Sequence, residues 1–393
     1  MKDVGKISVV AQEDMQMDLR AMFRGAIRAS LNMFLEEELE QLIGAGWYKR
    51  VDGRQDHRNG SYVRHLLTGL GTIDVTVPRS REGGSTGEVL GRYRRRTAEI
   101  DEMITSGYVN GVSTRKTGEL TEALMGQKVS RSTVSRITER LEAEVDALRQ
   151  APIEGEHPYL YLDATYVDAR WARKVENVSA LVAYAVGPNG HRQLLGITMG
   201  VEESEASWSE LLQQLVERGI TGVQLVITDE HLGLGAAVRR WFPEARRQRC
   251  AVHLMRNVLA KVPQRLRGRL AREAGVLFKA SSLAEARKLL NRLVGRWSKE
   301  LPEAMGCLQN GFGAATTFYS FPKQHWKKIR STNGLERLHG EIKRRTRAVG
   351  AFPDRASALR LITAVALKVT AIWSDRRYVD VSLLENWEVN QAA

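Results

Sequence analysis

Apolar residues recur at helical spacing near the start of the chain. Over residues 17–45 they fall three or four positions apart, until Gly44 ends the pattern. This stretch predicts an amphipathic helix, either an ordinary core helix or one used for self-association. Over residues 73–77, apolar and polar residues then alternate up to Pro78. Because a period of two is typical of a β-strand, we predict a strand there.

Two short helical patterns, separated by a tight turn, follow between residues 106 and 150. The first begins after Ser113 and runs to Met125, and the second begins after Ser130. A helix, a short turn containing Gly126 and a second helix form the layout of a helix-turn-helix, although a plain helical hairpin has the same pattern. The residues of the first helix predicted to face inward are Thr117, Leu120, Thr121 and Leu124. The start of the second helix carries groups that bind phosphates and base edges, namely Ser130, Arg131, Thr133 and Arg136.

An α/β pattern follows a linker at residues 151–157. It consists of three predicted strands, a helix and a fourth, apolar strand, at residues 159–167, 179–186, 193–199, 207–218 and 223–228. Pro188-Asn189-Gly190 predicts a hairpin turn between the second and third strands. Three strands with a hairpin, then a helix, then a strand is the opening order of the ribonuclease-H-like fold. We therefore predict an α/β domain of this type.

Two acidic residues stand out in this α/β region. Asp163 lies inside the first strand, and Asp229 directly follows the fourth. A charge in an apolar strand is costly unless it is paired or bound to a metal, and α/β sheets place functional groups at the carboxyl ends of strands. A single Asp at a strand end is most often a cap or an ion-pair partner, but here Glu336, at the start of a later predicted helix, supplies a third acid. The rival acids are Asp168, Glu202, Glu230 and Glu341.

Three carboxylates suit the cleavage of a phosphodiester. That reaction needs a nucleophile at neutral pH and relief of charge on the leaving oxygen, which two Mg²⁺ ions about 3.5–4 Å apart provide. Mg²⁺ prefers carboxylate oxygens and needs few protein ligands, and we expect Mn²⁺ to substitute for it. Repulsion among the three acids should raise their pKa values when no metal is bound.

The composition favours a nucleic-acid partner. The chain of 393 residues has a net charge of +13 and a pI of about 9.8. Proteins this basic usually contact nucleic acid, although a ribosome-associated or merely basic protein is the alternative. Two cysteines cannot build a disulfide framework. No apolar run approaches the roughly 20 residues that span a bilayer, and we expect no signal peptide, so we predict a cytoplasmic, nucleoid-associated protein with no membrane partner.

A dense run of cations follows Glu336 within three helical turns. These side chains repel one another, so a polyanion lying along the helix explains them better than stability does. They are Arg337, Lys343, Arg344, Arg345 and Arg347. A helical pattern over residues 254–322 carries further arginines, which either grip DNA or form a solvated face.

Motifs spread over most of the chain together resemble the Mutator-type, DDE transposases of bacterial insertion sequences. They include Val77-Pro78-Arg79, Ser132-Thr133-Val134-Ser135, Thr228-Asp229, Gln248-Arg249-Cys250-Ala251-Val252-His253 and residues 329–353. The resemblance implies that Asp163, Asp229 and Glu336 are the catalytic and metal-binding triad, with a largely helical insertion between the second Asp and the Glu. The family more often has Asn where this chain has His339.

The resemblance also assigns supporting residues. The family motif Thr-Asn-x-x-Glu-Arg favours Glu336 over Glu341 and makes Asn333 the expected helix cap. Cys250 and His253 match a Cys-x-x-His signature that lies close to the active site in related transposases. We expect this pair to support the site; the alternatives are buried residues with no special role, or metal ligands.

These features divide the chain into five expected segments. They are an N-terminal DNA-binding and oligomerisation region (1–105), a helix-turn-helix (106–150), the first part of the catalytic core (151–253), a helical insertion (254–325), and the second part of the core with a C-terminal helix (326–393). The expected fold is thus a ribonuclease-H-like α/β domain with an all-α insertion, preceded by a mainly helical DNA-binding region.

The resemblance further implies a DNA transposase. Such an enzyme would bind the terminal inverted repeats of its insertion sequence and catalyse metal-dependent 3′-end cleavage and strand transfer into target DNA. Either a cut-and-paste or a copy-out pathway is compatible with the sequence, and a homodimer or larger oligomer is expected. The alternatives are a ribonuclease-H-like structure-specific nuclease or resolvase, and a non-catalytic DNA-binding regulator.

Overall fold

The chain folds into two compact units, residues 1–138 and 139–393. The computed structural model describes residues 12–83, 89–91, 94–171, 174–200 and 202–384. The boundary between the units falls inside the segment 106–150, directly after the second helix of the predicted helix-turn-helix.

Unit 1 contains a long helix, a β-hairpin and three shorter helices in its described part. Their bounds are α1 Gln12–Ile43, β1 Arg58–Thr68, β2 Gly71–Ser80, α2 Ala98–Val109, α3 Thr114–Met125 and α4 Arg131–Thr138. The antiparallel hairpin confirms the strand predicted at residues 73–77 and extends it. The second half of α1 packs Leu35 onto the hairpin, and α2, α3 and α4 enclose a second core that includes Val134.

Helices α3 and α4 begin where the predicted caps lie. Ser113 Oγ accepts a hydrogen bond from the Lys116 amide at 3.3 Å, and Ser130 Oγ accepts one from the Thr133 amide at 3.2 Å. Each cap satisfies an amide that the first helical turn leaves without a partner. The helix bounds in this segment are therefore encoded locally.

The inward face of α3 differs from the prediction. Leu120 and Leu124 are exposed, and the buried residues are Thr117, Gly118, Thr121 and Met125. Thr121 Oγ1 accepts a hydrogen bond from the Val129 amide at 3.0 Å. Gly118 lies so close to the same residue that an added Cβ would come within 2.7 Å of the Val129 carbonyl oxygen. Contacts with the turn, rather than leucine burial, set the rotation of α3, so the inward role predicted for the two leucines is wrong.

Unit 2 is a mixed α/β structure. Its described elements are α5 Glu142–Gln150, β3 Tyr159–Trp171, β4 Lys174–Val186, β5 Arg192–Gly200, α6 Glu205–Glu217, β6 Leu225–Thr228, α7 Leu232–Trp241, β7 Arg246–Arg249, α8 Ala251–Ala260, α9 Gln264–Gly275, α10 Leu283–Trp297, α11 Pro302–Phe312, α12 Trp326–Ile329, α13 Asn333–Val349 and α14 Arg355–Thr370. The predicted order of three strands, a helix and a fourth strand is confirmed. The helical pattern predicted over residues 254–322 corresponds to α8 to α11.

The sheet of unit 2 has the strand order β5-β4-β3-β6-β7 in its described part. β4 runs antiparallel to both β3 and β5, whereas β3, β6 and β7 are parallel to one another. Leu160 and Leu162 of β3 enter the core formed with α6 and α7. Because side chains alternate along a strand, Tyr161 and Asp163 project from the opposite face, where α13 and α14 pack. A carboxylate at position 163 is therefore directed towards α13.

Helix α14 and the turn after it form a strongly apolar segment. Residues Arg355–Trp373 make up the one described stretch that is long and apolar enough to cross a membrane, so the expectation that no apolar run approaches this length is wrong. More than half of this stretch is buried within the protein, and α14 contacts β3, β5 and α13. Its composition is therefore explained by its position as a core helix of unit 2.

Candidate active site

Asp163 and Asp229 are brought together by two parallel strands. The register of β3 and β6 pairs Tyr161 with Ile227. Two residues further along, Asp163 and Asp229 are therefore neighbours, as the sequence predicts. Asp163 is buried and Asp229 is partly exposed.

The Asp163 carboxyl has an unusual proton affinity. Burial raises its pKa to about 7, because the charged form loses solvation. The positive charge of His253 opposes this rise, whereas the negative charge of Asp229 adds to it. The Ala164 amide donates to Oδ1 at 3.0 Å and also opposes it. Near neutral pH a bound cation would therefore compete with a proton for this carboxylate.

Asp229 has an acceptor atom that the described residues leave unused. Its Oδ1 is buried and accepts no hydrogen bond from the part of the chain that the structure describes. Its main chain is well anchored, since Arg247 Nη2 donates to the Asp229 carbonyl oxygen at 3.0 Å. A buried carboxylate oxygen without a partner is costly, which favours occupation by a cation or a donor group.

Glu336 lies in the first turn of α13. Its Oε1 is 2.8 Å from Arg256 Nη2 and 3.6 Å from His253 Nε2. The predicted cap of this helix is wrong, because Thr332 occupies the N-cap position and Asn333 is the first helical residue, with an exposed side chain.

Cys250 holds Thr332 at the N-cap position of α13. The buried sulfur of Cys250 accepts hydrogen bonds from both the amide and the hydroxyl of Thr332 at 3.4 Å. The Cys250 amide donates to the Thr228 carbonyl oxygen at 2.6 Å, and the Ala251 amide donates to the Arg330 carbonyl oxygen at 2.9 Å. These bonds join the end of β6, the start of α8 and the start of α13 at one point.

His253 interacts electrostatically with all three predicted catalytic acids. Its interaction with Cys250 raises its pKa to about 9 against the effect of burial, and the charges of Asp163 and Asp229 contribute to the rise. It is therefore a cation at neutral pH, and it also lies close to Glu336. Burial raises the pKa of the Cys250 thiol, but His253 and Thr332 outweigh this and hold it below its usual value.

His339 is a neighbour of Asp163 to which the sequence assigns no role. Its Nδ1 lies 3.6 Å from Asp163 Oδ2, one turn beyond Glu336 on α13. Burial lowers the pKa of His339 to about 3, and the positive charges of Lys343 and His253 contribute. The imidazole is therefore neutral near pH 7, so this contact is not an ion pair.

Glu203 is a fourth acid at this site, and the sequence reasoning missed it. It accepts hydrogen bonds from Tyr166 Oη at 3.0 Å and from Trp208 Nε1 at 3.3 Å. Burial raises its pKa, and the charge of Asp229 adds to the rise. Glu203 lies in a loop without periodicity, so no pattern distinguishes it from the exposed Glu202 beside it.

Three of the rival acids have other neighbours. Asp168 accepts a hydrogen bond from the Asn177 amide group at 2.9 Å, and Glu230 forms an ion pair with Arg249. Glu341 is 2.8 Å from Arg344 Nη2 and 3.7 Å from Arg345 Nη2.

The donor set at this site fits a hard divalent cation in its chemistry. Carboxylate oxygens are the ligands that Mg²⁺ prefers, and Asp229 Oδ1 has no competing hydrogen bond within the described residues. Across the residues that the structure describes, no group of three or more His, Cys, Asp or Glu side chains is arranged to hold a metal ion. Glu336 Oε1 is engaged by Arg256, so the use of this particular oxygen as a ligand competes with that ion pair.

The residues predicted to bind DNA fall into two groups, one in each unit. In unit 1, Ser130, Arg131 and Arg136 are exposed and Thr133 is partly exposed at the start of α4. In unit 2, α13 carries the exposed cations Arg337, Lys343, Arg344 and Arg347. Arg345 is more buried and shares the Glu341 carboxylate with Arg344. Each group thus offers several exposed polar or cationic side chains to a phosphate backbone.

Comparison with known proteins identifies the family of this chain. A family model described as "Transposase, Mutator family" matches residues 2–375. The chain belongs to the Mutator family of transposases. The predicted resemblance is thereby confirmed over nearly the whole length of the chain.

The curated relatives of this transposase come from diverse bacteria. It is 35% identical over 381 residues to the transposase for insertion sequence element ISRM5 of Rhizobium meliloti, covering 97% of this chain and 96% of the relative. It is 34% identical over 354 residues to the transposase for IS256 in transposon Tn4001 of Staphylococcus aureus, covering 89% and 90%. The transposase for IS1081 of Mycobacterium tuberculosis is 34% identical over 366 residues, covering 92% and 88%.

A solved structure with a weak likeness is the simian T-cell lymphotropic virus intasome in complex with the PP2A regulatory subunit B56 gamma. The TM-score is 0.17 at 13% identity, over 52% of this chain and 63% of that chain, which is too low to bear on the fold.

Proposed function

We propose that this transposase catalyses metal-dependent 3′-end cleavage of its insertion sequence and strand transfer into target DNA. Asp163, Asp229 and Glu336 are the proposed catalytic and metal-binding residues. One observation supports this assignment: in a chain of the Mutator family, the charges of Asp163 and Asp229 act on the cationic His253, and Glu336 Oε1 lies 3.6 Å from His253 Nε2. Unit 2 is proposed to be a ribonuclease-H-like domain, which its strand order supports.

The proposed cofactor is a pair of Mg²⁺ ions, for which Mn²⁺ would substitute. When bound, the ions would supply a nucleophile at neutral pH and neutralise charge on the leaving oxygen. Asp163 and Asp229 would hold them from neighbouring strands, and Glu336 would do so from α13. Asp163 has a pKa of about 7, so it gives up its proton when a cation binds near neutrality.

His253 and Arg256 are proposed to prepare the site for its ligands. Both are close to Glu336, and the positive charge of His253 offsets the repulsion among the carboxylates while no metal is bound. Cys250 would act as a positioning residue, because its hydrogen bonds hold Thr332 and hence the first turn of α13.

Two surfaces are proposed to hold DNA. The helix-turn-helix formed by α3 and α4 would bind the terminal inverted repeats through Ser130, Arg131, Thr133 and Arg136. The cations of α13 would hold the backbone near the site of cleavage, since they follow Glu336 on the same helix. Both DNA ends must be brought together for joining, so we propose a homodimer or larger assembly in the cytoplasm, associated with the nucleoid.

The test is a cleavage and strand-transfer assay on the element's own terminal DNA with and without Mg²⁺. Wild type is compared with Asp163→Asn, Asp229→Asn and Glu336→Gln, and DNA binding is measured separately. The control is Asp168→Asn, the same change at an exposed position of the same strand. We expect each of the three variants to lose joined products while binding is kept, and the control to stay active.

The other outcomes are equally informative. Cleavage without joining would favour a nuclease of the resolvase type. Full activity of Glu336→Gln would transfer the third role to Glu341. If wild type bound its terminal DNA but showed no metal-dependent chemistry, the catalytic proposal would be abandoned in favour of a DNA-binding regulator.

A further inference from the structure

Helix α1 has two apolar faces, and the described residues cover only one of them. Leu35 and Leu39 are buried, and Leu35 packs on the hairpin of unit 1. The opposite face carries a stripe at helical spacing whose members are exposed: Leu19, Met22, Phe23, Ala26, Ile27, Ser30, Met33 and Phe34. Phe23 is 54% exposed and Phe34 is 47% exposed. A contiguous apolar stripe of this kind on a soluble protein marks an interface.

The stripe has nearly the same pattern in both directions. Large side chains lie at its two ends, Met22 and Phe23 at one and Met33 and Phe34 at the other, with the small Ala26 and Ser30 between them. When two copies lie antiparallel with a two-fold axis near residue 28, large residues meet large ones and small residues meet small ones. A surface that is complementary to itself is what a two-fold dimer requires.

The charges of α1 favour the same direction of pairing. Between residues 19 and 35 the only charged residues are three arginines, at positions 20, 24 and 28, whereas residues 36–40 include four glutamates. Arg24 and Arg28 lie seven residues before Leu31 and Leu35, on the side of α1 that faces the hairpin, so only Arg20 lies at the edge of the stripe. A parallel pair would place Arg20 beside Arg20 and Glu37 beside Glu37. In an antiparallel pair about residue 28, Arg20 of one helix lies opposite residue 36 of the other and next to the exposed Glu37, which places basic beside acidic side chains.

We propose that the exposed stripe of α1 is a homodimer interface, in which it pairs antiparallel with α1 of a second copy. Phe23 packs against Phe34 of the second copy, and Met22 packs against its Met33. This interface rests on the proposed assembly of two copies, but it concerns association of the protein without DNA. If the proposed chemistry failed, the interface proposal would still stand. If the interface proposal failed, the proposed chemistry would still stand.

The first experiment measures the mass of the full chain without DNA by analytical ultracentrifugation over a range of concentrations. We expect a dimer in the wild type and an association constant reduced at least about 10-fold in Phe23→Glu and in Phe34→Glu, because a buried aromatic anchor is removed. Val63→Glu is the matched control, since Val63 is 57% exposed in the same unit but outside the stripe. A monomeric wild type, or a dimer that neither stripe variant weakens, would overturn the proposal.

The second experiment tests the direction of pairing and does not require a disruptive variant. In a Cys307→Ser background, Met22→Cys and Met33→Cys are oxidised separately and as a mixture. In the antiparallel pair two copies of residue 22 are roughly 18 Å apart along the helix, too far for a disulfide. We expect cross-linked dimers only in the mixture. Cross-linking of Met22→Cys on its own would refute the antiparallel arrangement.

Discussion

Replacing Asp163 by Asn should stabilise the metal-free protein while removing its proposed catalytic role. The folded-state pKa of this carboxyl is about 7, against an ordinary value of 3.8. Because the folded pKa is raised, the stability contributed by the protonated group is fully present below pH 3.8 and is lost as the pH rises through 7. The full loss of folding free energy is about 4 kcal/mol, since each unit of difference between the folded and unfolded pKa corresponds to about 1.4 kcal/mol.

The size of this effect depends on pH in a defined way. At pH 8 nearly all of the roughly 4 kcal/mol is lost in the wild type, whereas at pH 5 the loss is about 2 to 3 kcal/mol smaller. Asn at position 163 does not titrate. We therefore expect Asp163→Asn to be the more stable protein at pH 8, and its advantage to shrink by about 2 to 3 kcal/mol at pH 5.

The assay is urea unfolding in EDTA at both pH values, followed by tryptophan fluorescence. Unit 2 provides most of the signal, because seven of the eight tryptophans in the sequence lie within its bounds. Asp168→Asn serves as the control at an exposed position of the same strand, where we expect a change within about 0.5 kcal/mol. Equal stability of wild type and Asp163→Asn at pH 8, or an advantage that does not depend on pH, would refute this account of the site.

Two further predictions concern packing and DNA. Gly118→Ala should destabilise unit 1 by about 1–3 kcal/mol in thermal unfolding, because the new Cβ would lie 2.7 Å from the Val129 carbonyl oxygen. The control Gly107→Ala should be neutral or slightly stabilising, because its new Cβ would have no neighbour closer than 3.9 Å. Removing four exposed cations of α13 should weaken DNA binding, as measured by fluorescence anisotropy. The slope of log K against log salt should also fall by about 0.9 for each phosphate that the variant no longer neutralises. The control Arg239→Ala, at another exposed position, should change neither the affinity nor the slope. The four cations of α13 are Arg337, Lys343, Arg344 and Arg347.

Local signals in the sequence are sufficient to predict most helices and strands and to identify two of the candidate catalytic acids, Asp163 and Asp229. Ser113 and Ser130 cap their helices through hydrogen bonds within three residues, so their role is visible in the chain itself. Asp163 and Asp229 were identifiable because an acid in or after an apolar strand is unusual, and neighbouring strands then place the two side by side.

Features that depend on distant parts of the chain could not be predicted in this way. Thr332 is the N-cap of α13, and its hydroxyl and amide donate hydrogen bonds to the Cys250 sulfur, which is 82 positions away in sequence. Glu203 reaches the site from a loop, where no periodicity gives the direction of a side chain. His339 fits the buried face of an amphipathic helix, and only the position of β3 shows that this face meets Asp163.

The bonds around Cys250 have a consequence for the evolution of this enzyme. They close the helical segment α8 to α11 at its base, where the chain leaves the sheet beside Thr228 and returns at Arg330 and Thr332. A segment whose two ends already meet can gain, lose or exchange helices at its far end without separating the residues at its base. Variation in the length of this segment among related elements would therefore leave Asp229 and Glu336 in place.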